Sequence, residues 1–389
     1  MYDFDQLIER RNTDCVKWDN LEKIYGSKDL LPLWVADMDF PVAPAISEAI
    51  RKRAEHGVYG YNFISDRYFE AVINWMERRH NWTIDKDWII FSPGVVPALS
   101  YGVRAFTQPG DNVIIQSPVY HPFYKAIELN GRQIRTNPLV ERDGRFYMDY
   151  EDLERKIDSR TKLLILCSPH NPVGRVWTEE ELKRLGEICL KHNIIVISDE
   201  IHFDIVFKGY KHTVFANISE ELRDISIICT APSKTFNIAG LHTSNIIIAN
   251  EKLREKYKRE VSKDSISTPN IFGAEALIAA YNEGEDWLDS LIEYLEGNRD
   301  YFIDYVSKNI PQLRVIKSEG TYLLWVDCSG LGMDLEGLRD FFTNRCKLAL
   351  NHGSMFGVEG ELFQRFNIGC PRSILEEALT RIEKEIKNL

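Results

Sequence analysis

The chain has 389 residues, of which 44% are hydrophobic and 28% are charged, and its formal net charge at pH 7 is −11. This composition is typical of a globular protein, and the length predicts two domains or one large domain with an appendage. A nucleic-acid partner is not expected, because binding to phosphate backbones needs a basic surface that an acidic chain does not supply.

Cysteine usage and the N-terminus predict a cytoplasmic protein. The seven cysteines are scattered, odd in number and include no Cys-x-x-Cys pair, which is typical of a reducing compartment. Residues 1–6 lack the basic and then apolar segments of a signal peptide, and no apolar run approaches the length that crosses a membrane. We therefore expect a cytoplasmic location and no membrane partner.

The first part of the chain predicts an arm followed by two helices. An apolar run at 30–36 ends in two aspartates and a proline, so we expect it to dock and then turn. A helical period follows at 45–53, and another begins at residue 68 and continues to 80, after the aromatic stretch 58–62.

Short β-branched runs then alternate with helix-length segments. They lie at 88–91, 112–116, 162–167, 194–198, 225–229 and 245–249. This alternation predicts an α/β fold with a mainly parallel sheet wrapped by helices, in which binding residues follow the strand ends. Thr178 and Glu181 form a capping box that marks the helix after the third run.

After about residue 285 the pattern changes. It predicts a long helix at 287–308, strands at 314–316 and 322–326, and a final amphipathic helix at 373–389. We interpret this part as a smaller α+β domain joined by the N-terminal arm. The predicted division is a large domain at 46–284 and a small domain made of 1–45 with 285–389.

A lysine between two apolar runs is the first candidate for chemistry. Lys234 follows the run at 225–229 and precedes the run at 245–249, which predicts an exposed turn at a sheet edge that faces a cleft. Burial disfavours the ammonium form, and a neutral amine attacks aldehydes, so Lys234 is a candidate Schiff-base lysine. The other interpretation is a solvated lysine in a turn.

Two earlier strand ends carry groups that the same ligand could use. Gly94, Val95 and Val96 open a helix and offer free amide groups to an anion, although a plain strand-to-helix turn fits the same residues. Tyr120 lies in a turn between two prolines, where it is either a platform for a planar ring or an ordinary core residue.

Two later strand ends add polar side chains. Asn171 lies between two prolines and either donates to a phenolate oxygen or bonds its own turn. Asp199 ends a buried run and either meets a cation, such as a protonated ring nitrogen, or caps the next segment. A metal site built from Asp199 and His202 lacks ligand-like spacing, so no metal is expected. Together with Lys234, these groups describe a site for pyridoxal 5′-phosphate (PLP).

The order of these motifs resembles the fold-type I PLP enzymes of the class I/II aminotransferase group. More narrowly, it resembles the MalY/PatB cystathionine β-lyases, and the match covers nearly the whole chain. The segments that carry this resemblance are 34–40, 118–123, 167–175, 198–202, 231–241 and 367–372. The resemblance implies a fold-type I PLP-dependent transferase fold.

The resemblance also implies how the cofactor ring would be held. Lys234 would form the imine with PLP, Asp199 would pair with the pyridinium nitrogen, and Asn171 would contact the ring oxygen. Tyr120 would stack on the ring. His202 stands where many relatives place a tyrosine that also reaches the ring oxygen.

The phosphate contacts follow from the same resemblance. Gly94, Val95, Val96 and Ser233 would hold the phosphate. Many aminotransferases add an arginine eight residues after the lysine, and here that position is His242, which leaves phosphate binding by a guanidinium open.

Arg365 would clamp the substrate α-carboxylate, with Ala36 closing behind it. A guanidinium can bind a carboxylate in a bidentate manner, which suits this role; the other interpretation is a surface arginine before the last strand. Tyr61 resembles the tyrosine that reaches the phosphate of the neighbouring subunit, which implies a homodimer with a shared active site.

The implied reaction is α,β-elimination of L-cystathionine or a related cysteine S-conjugate to pyruvate, ammonia and a thiol. An aminotransferase would use the same residues but return the proton to the cofactor, and it stays open as the alternative. A third interpretation is a regulatory binding protein with vestigial catalysis. The intact set of Lys234, Asp199, Asn171 and Arg365 argues against lost catalysis.

Overall fold

The computed structural model describes residues 2–389. The helices are α1 (Val16–Asp19), α2 (Leu21–Tyr25), α3 (Pro44–Glu55), α4 (Asp66–His80), α5 (Val95–Phe106), α6 (Pro122–Glu128), α7 (Tyr150–Lys156), α8 (Glu179–Lys191), α9 (Glu220–Asp224), α10 (Pro232–Thr235), α11 (Glu251–Ser262), α12 (Ile271–Glu283), α13 (Glu285–Asn309), α14 (Leu335–Asp340) and α15 (Arg372–Ile386). Among the described helices, none is long and apolar enough to cross a membrane.

The strands account for three sheets and one hairpin. They are β1 (Leu31–Pro32), β2 (Ile89–Ser92), β3 (Asn112–Ile115), β4 (Gln133–Thr136), β5 (Val140–Arg142), β6 (Arg145–Tyr147), β7 (Thr161–Cys167), β8 (Ile195–Asp199), β9 (Ser226–Thr230), β10 (Ser244–Ile247), β11 (Arg314–Ile316), β12 (Leu323–Asp327), β13 (Leu348–Ala349), β14 (Asn351–His352) and β15 (Phe363–Asn367). The hairpin pairs β5 with β6.

The largest sheet has the strand order β2-β10-β9-β8-β7-β3-β4. The strands from β9 to β4 run parallel, whereas β10 is antiparallel to both of its neighbours. The expected mainly parallel sheet is confirmed, with one reversed strand that the alternation of runs did not reveal. Helices cover both faces, which explains why the predicted runs are apolar throughout rather than alternating.

Helix α5 lies against the centre of this sheet. A Cβ atom at Gly102 would stand 2.3 Å from Cδ1 of Ile197 in β8, so a larger residue here would force the end of the Ile197 side chain to move. The contact brings α5 close to the strand that ends at Asp199.

A second, antiparallel sheet has the order β11-β12-β15-β14 and is followed by α15. The N-terminal segment joins this part of the chain, because Leu31 of β1 pairs with Leu348 of β13 in a parallel register. The predicted capping box is also present: Oγ1 of Thr178 accepts the N–H of Glu181 at 3.2 Å. The division into domains at 46–284 and at 1–45 with 285–389 stays a prediction.

Candidate active site

Most of the predicted site residues line one cavity of about 310 Å³. It opens where the parallel strands end, because β8 stops at Asp199 and β9 stops shortly before Lys234. The predicted residues in its wall are Ala36, Gly94, Val95, Val96, Tyr120, Asn171, Asp199, His202, Ser233 and Lys234. Carboxyl ends of neighbouring parallel strands meet at one edge, so residues far apart in sequence converge there.

Lys234 lies in the single helical turn α10 rather than in the exposed turn that its sequence predicted. Its side chain is half-buried, and Nζ donates a hydrogen bond to the carbonyl oxygen of Ala36 at 2.7 Å. Burial lowers the pKa of Lys234 to about 8; the charge of Arg365 acts in the same direction, and Asp37 and Asp199 oppose it. The amine is therefore partly neutral near physiological pH, as a nucleophile or base requires.

Asp199 is a buried carboxylate without a cationic partner among the described residues. One oxygen accepts the N–H of Ile201 at 3.2 Å, and no salt bridge reaches it. Burial raises the pKa of Asp199 to about 7, and the charge of Glu200 adds to the effect. A carboxylate in this state fits a ligand that carries a protonated ring nitrogen.

Arg365 is also buried, in β15, so the interpretation as a surface arginine is wrong. Nη1 donates to Oδ1 of Asn171 at 3.0 Å, and Nη2 donates to the carbonyl oxygen of Trp34 at 2.8 Å and to Oδ1 of Asn351. Every acceptor is neutral, and Nε has no partner among the described residues. Burial lowers the pKa of Arg365 to about 10. A buried guanidinium held this way fits an anionic ligand.

The N-terminus of α5 offers a second place for an anion. Gly94 caps the helix, and the N–H groups of Gly94, Val95 and Val96 donate to no other described residue. Free amide groups at a helix start carry partial positive charge, which suits a phosphate. Ser233 and His242 line the same cavity.

Tyr120 and His202 complete the wall. Tyr120 is half-buried, and burial together with the charge of Asp199 raises its pKa, so the ring stays neutral. Burial lowers the pKa of His202 to about 3, and its Nδ1 atom has no partner among the described residues. A neutral imidazole with a free nitrogen is suited to a hydrogen bond with a ring oxygen.

Tyr61 does not reach this cavity. It is fully exposed, and Val58, Tyr59 and Phe63 of the same loop are exposed as well. Its assignment to the active site of a neighbouring subunit stays a prediction.

Two residues that sequence reasoning missed contact the predicted set. Tyr322 donates from its hydroxyl to the carbonyl oxygen of Ala36 at 2.8 Å, and Asn351 accepts from Arg365. Tyr322 begins the predicted strand 322–326, which reads as an ordinary buried strand, so no local signal distinguished it from core.

Residues 28–382 match the family described as aminotransferase class I and II. The chain belongs to this family. It is 45% identical over 381 residues to cystathionine beta-lyase PatB of Bacillus subtilis, an alignment that covers 98% of each chain. The predicted resemblance is confirmed.

Solved structures give the same result for the family fold. A PLP-bound putative aminotransferase from Clostridium difficile is 49% identical with a TM-score of 0.98, covering 99% of this chain and 100% of that one. Cystalysin from Treponema denticola, which contains pyridoxal 5′-phosphate, is 41% identical with a TM-score of 0.97, covering 100% and 99%. The fold-type I architecture is therefore confirmed.

The cavity fits PLP on the observations above. Asp199 lacks a cation that a pyridinium nitrogen would supply, the amides of α5 lack an anion that a phosphate would supply, and Lys234 offers a partly neutral amine to an aldehyde.

Proposed function

We propose that the chain is a PLP-dependent carbon–sulfur β-lyase that acts on L-cystathionine or a related cysteine S-conjugate. One observation carries the proposal: Lys234, with its lowered pKa, shares a cavity with Asp199 next to a buried Arg365 that has no acidic partner. The chain that holds this arrangement is 45% identical to a cystathionine beta-lyase over almost its full length.

The residues that would hold PLP each match one part of the molecule. Lys234 would bind it covalently, and Asp199 would pair with the ring nitrogen. The ring oxygen would meet Asn171 and His202, and Tyr120 would stack on the ring. The phosphate contacts are assigned to Gly94, Val95, Val96 and Ser233.

Bound PLP supplies an electron sink for the negative charge that develops at the substrate Cα. Arg365 would bind the α-carboxylate through its fork of N–H groups and so orient the substrate. The freed Nζ of Lys234 would remove the Cα proton, and its pKa of about 8 lets it both take and return a proton near neutral pH. Loss of a thiolate from the β-carbon, followed by the addition of water to the remaining three-carbon fragment, would give pyruvate, ammonia and a thiol.

The proposal includes a homodimer with a shared active site. The exposed aromatic loop around Tyr61 supports it, because several large apolar side chains in one loop are typical of an interface. A cytoplasmic location is part of the same proposal. It is supported by the seven cysteines, which are all unpaired thiols in the structure.

An aminotransferase is the second candidate, because the Clostridium difficile neighbour with 49% identity is a putative aminotransferase. Purified protein incubated with L-cystathionine separates the two. We expect pyruvate and thiol without an added keto acid, and no product from a Lys234→Ala variant. Turnover that depends on a keto acid would instead assign the chain as an aminotransferase.

A further inference from the structure

One carbonyl oxygen joins three distant parts of the chain. The oxygen of Ala36 lies 2.7 Å from Nζ of Lys234 and 2.8 Å from the hydroxyl of Tyr322. A carbonyl oxygen can only accept, so both side chains donate to it. Tyr322 is completely buried and immediately precedes β12 of the small sheet.

The backbone that carries this carbonyl is fixed on both sides. Nδ2 of Asn367 donates to the carbonyl oxygens of Val35 and Asp37, at 2.5 and 2.6 Å. Oδ1 of Asn237, three residues after the lysine, accepts the N–H of Met38 at 2.9 Å. The oxygen of Ala36 is therefore held in place relative to the turn that bears the lysine, and it cannot follow Nζ when Nζ moves.

Charged groups of both signs surround Lys234 and act on its pKa in opposite directions. Burial raises the pKa of Tyr322 well above its ordinary value, so the phenol stays neutral and keeps its proton. The charged and titratable groups that act on the lysine are Asp37 of the N-terminal segment, Asp199 and His202 after β8, and Arg365 of β15. Asp37 is in turn paired with Arg10 at 2.7 Å, which reduces its pull on the ammonium.

We propose that Tyr322 is a positioning residue for Lys234, because its hydroxyl shares the carbonyl oxygen of Ala36 with the lysine amine. Sharing has two effects. It fixes the place where Nζ rests when it is not bonded to cofactor, and it weakens the acceptor that would otherwise hold the ammonium form. Tyr322 thereby favours the neutral amine that the proposed reaction needs, and the inference rests on that proposed function.

The test measures the proton affinity of Lys234 in full-length protein without cofactor. Competitive labelling with acetic anhydride across a range of pH, followed by peptide mapping, gives the pKa of this one amine. We expect Tyr322→Phe to raise it by about one unit, because the oxygen then serves the ammonium alone. In the holoenzyme the acidic limb of the kcat profile should move the same way. The kcat at neutral pH should fall about tenfold while KM changes less than about twofold.

Tyr257→Phe is the matched control. Tyr257 is equally buried, and its hydroxyl also donates to a main-chain carbonyl, that of Ala98 at 3.1 Å. This variant should have a lower free energy of unfolding, because it loses one buried hydrogen bond. Its pKa for Lys234 should equal that of the wild type. Equal lysine titrations in wild type and Tyr322→Phe, or equal shifts in both variants, would overturn the proposal.

If Tyr322→Phe does not fold, a fluorinated tyrosine at position 322 tests the same effect on the pKa of Lys234. Fluorine makes the phenol a stronger donor, so the proposal predicts a lower pKa for Lys234, and an unchanged one contradicts it. The labelling needs neither substrate nor cofactor. A failed lyase assay would therefore leave this result standing, and a failed labelling result would leave the lyase assignment standing.

Discussion

Replacing Asp199 by asparagine should stabilise the cofactor-free protein while weakening its hold on PLP. The carboxyl has a folded-state pKa of about 7 against an ordinary value of 3.8. A raised pKa means that ionising this carboxyl costs more free energy in the folded chain than in the unfolded chain. This penalty is absent at low pH, where the carboxyl is protonated in both the folded and the unfolded chain. It grows as pH rises from 3.8 through 7 and is constant above that range.

The size of this effect follows from the shift. The difference of 7 − 3.8 = 3.2 units corresponds to about 4 kcal/mol at 1.36 kcal/mol per unit. Burying the new amide with few partners returns about 1–3 kcal/mol of that amount. We therefore expect Asp199→Asn to gain about 1–3 kcal/mol at about pH 8, and less than half of its pH 8 gain at about pH 5.

Urea unfolding of the cofactor-free variants, followed by tryptophan fluorescence at both pH values, measures the difference. Asp39→Asn is the matched control, because Asp39 is also buried but bonds Nζ of Lys17 at 2.6 Å and has a lowered pKa. That variant should lose stability where Asp199→Asn gains it. An Asp199→Asn protein that is no more stable than wild type at about pH 8 would refute the reasoning.

Three further changes have expected outcomes. Arg365→Lys keeps the charge but loses the fork, so kcat/KM for L-cystathionine should fall about 10–100-fold, mainly through KM; unchanged steady-state kinetics would contradict the carboxylate role. Mixing inactive Lys234→Ala and Tyr61→Ala subunits after dissociation should restore roughly a quarter of the wild-type sites, and no recovered activity would argue against a shared site. Gly174→Ala should cost more than about 2 kcal/mol in denaturant unfolding, whereas Gly26→Ala should cost about 1 kcal/mol. Both glycines have positive φ, but a Cβ at 174 would meet Ser318 Oγ at 2.3 Å and one at 26 meets nothing within 4 Å.

The sequence alone predicts those site residues that follow a strand within a few positions. Lys234, Asp199 and Asn171 each follow an apolar run by a few residues, and parallel strand ends converge, so their common cavity was predictable. The placement of β4 was not predictable, because its sequence Gln-Ile-Arg-Thr is polar and it lies at the edge of the sheet. β10 lies between β2 and β9 and runs antiparallel to both, and a run of apolar residues does not encode the direction of its strand.

Contacts between distant segments account for the rest of the site. The hydrogen bond between Tyr322 and Ala36 spans 286 residues, and the bond between Arg365 and Asn171 spans 194. Neither has a local pattern, since Tyr322 reads as core and only the family resemblance singled out Arg365. The first pair follows from the packing of the small sheet against the N-terminal segment, and the second from its packing against the loop after β7. Both are properties of the folded chain.

The central claim is that Lys234 is the residue that binds the cofactor covalently. Reducing the PLP-loaded protein with sodium borohydride fixes the cofactor to the nitrogen it is bonded to, and digestion with mass spectrometry locates it. The account predicts one modified peptide, with the added mass on Lys234. A tag on any other lysine, or no tag on a protein that has bound PLP, would contradict it.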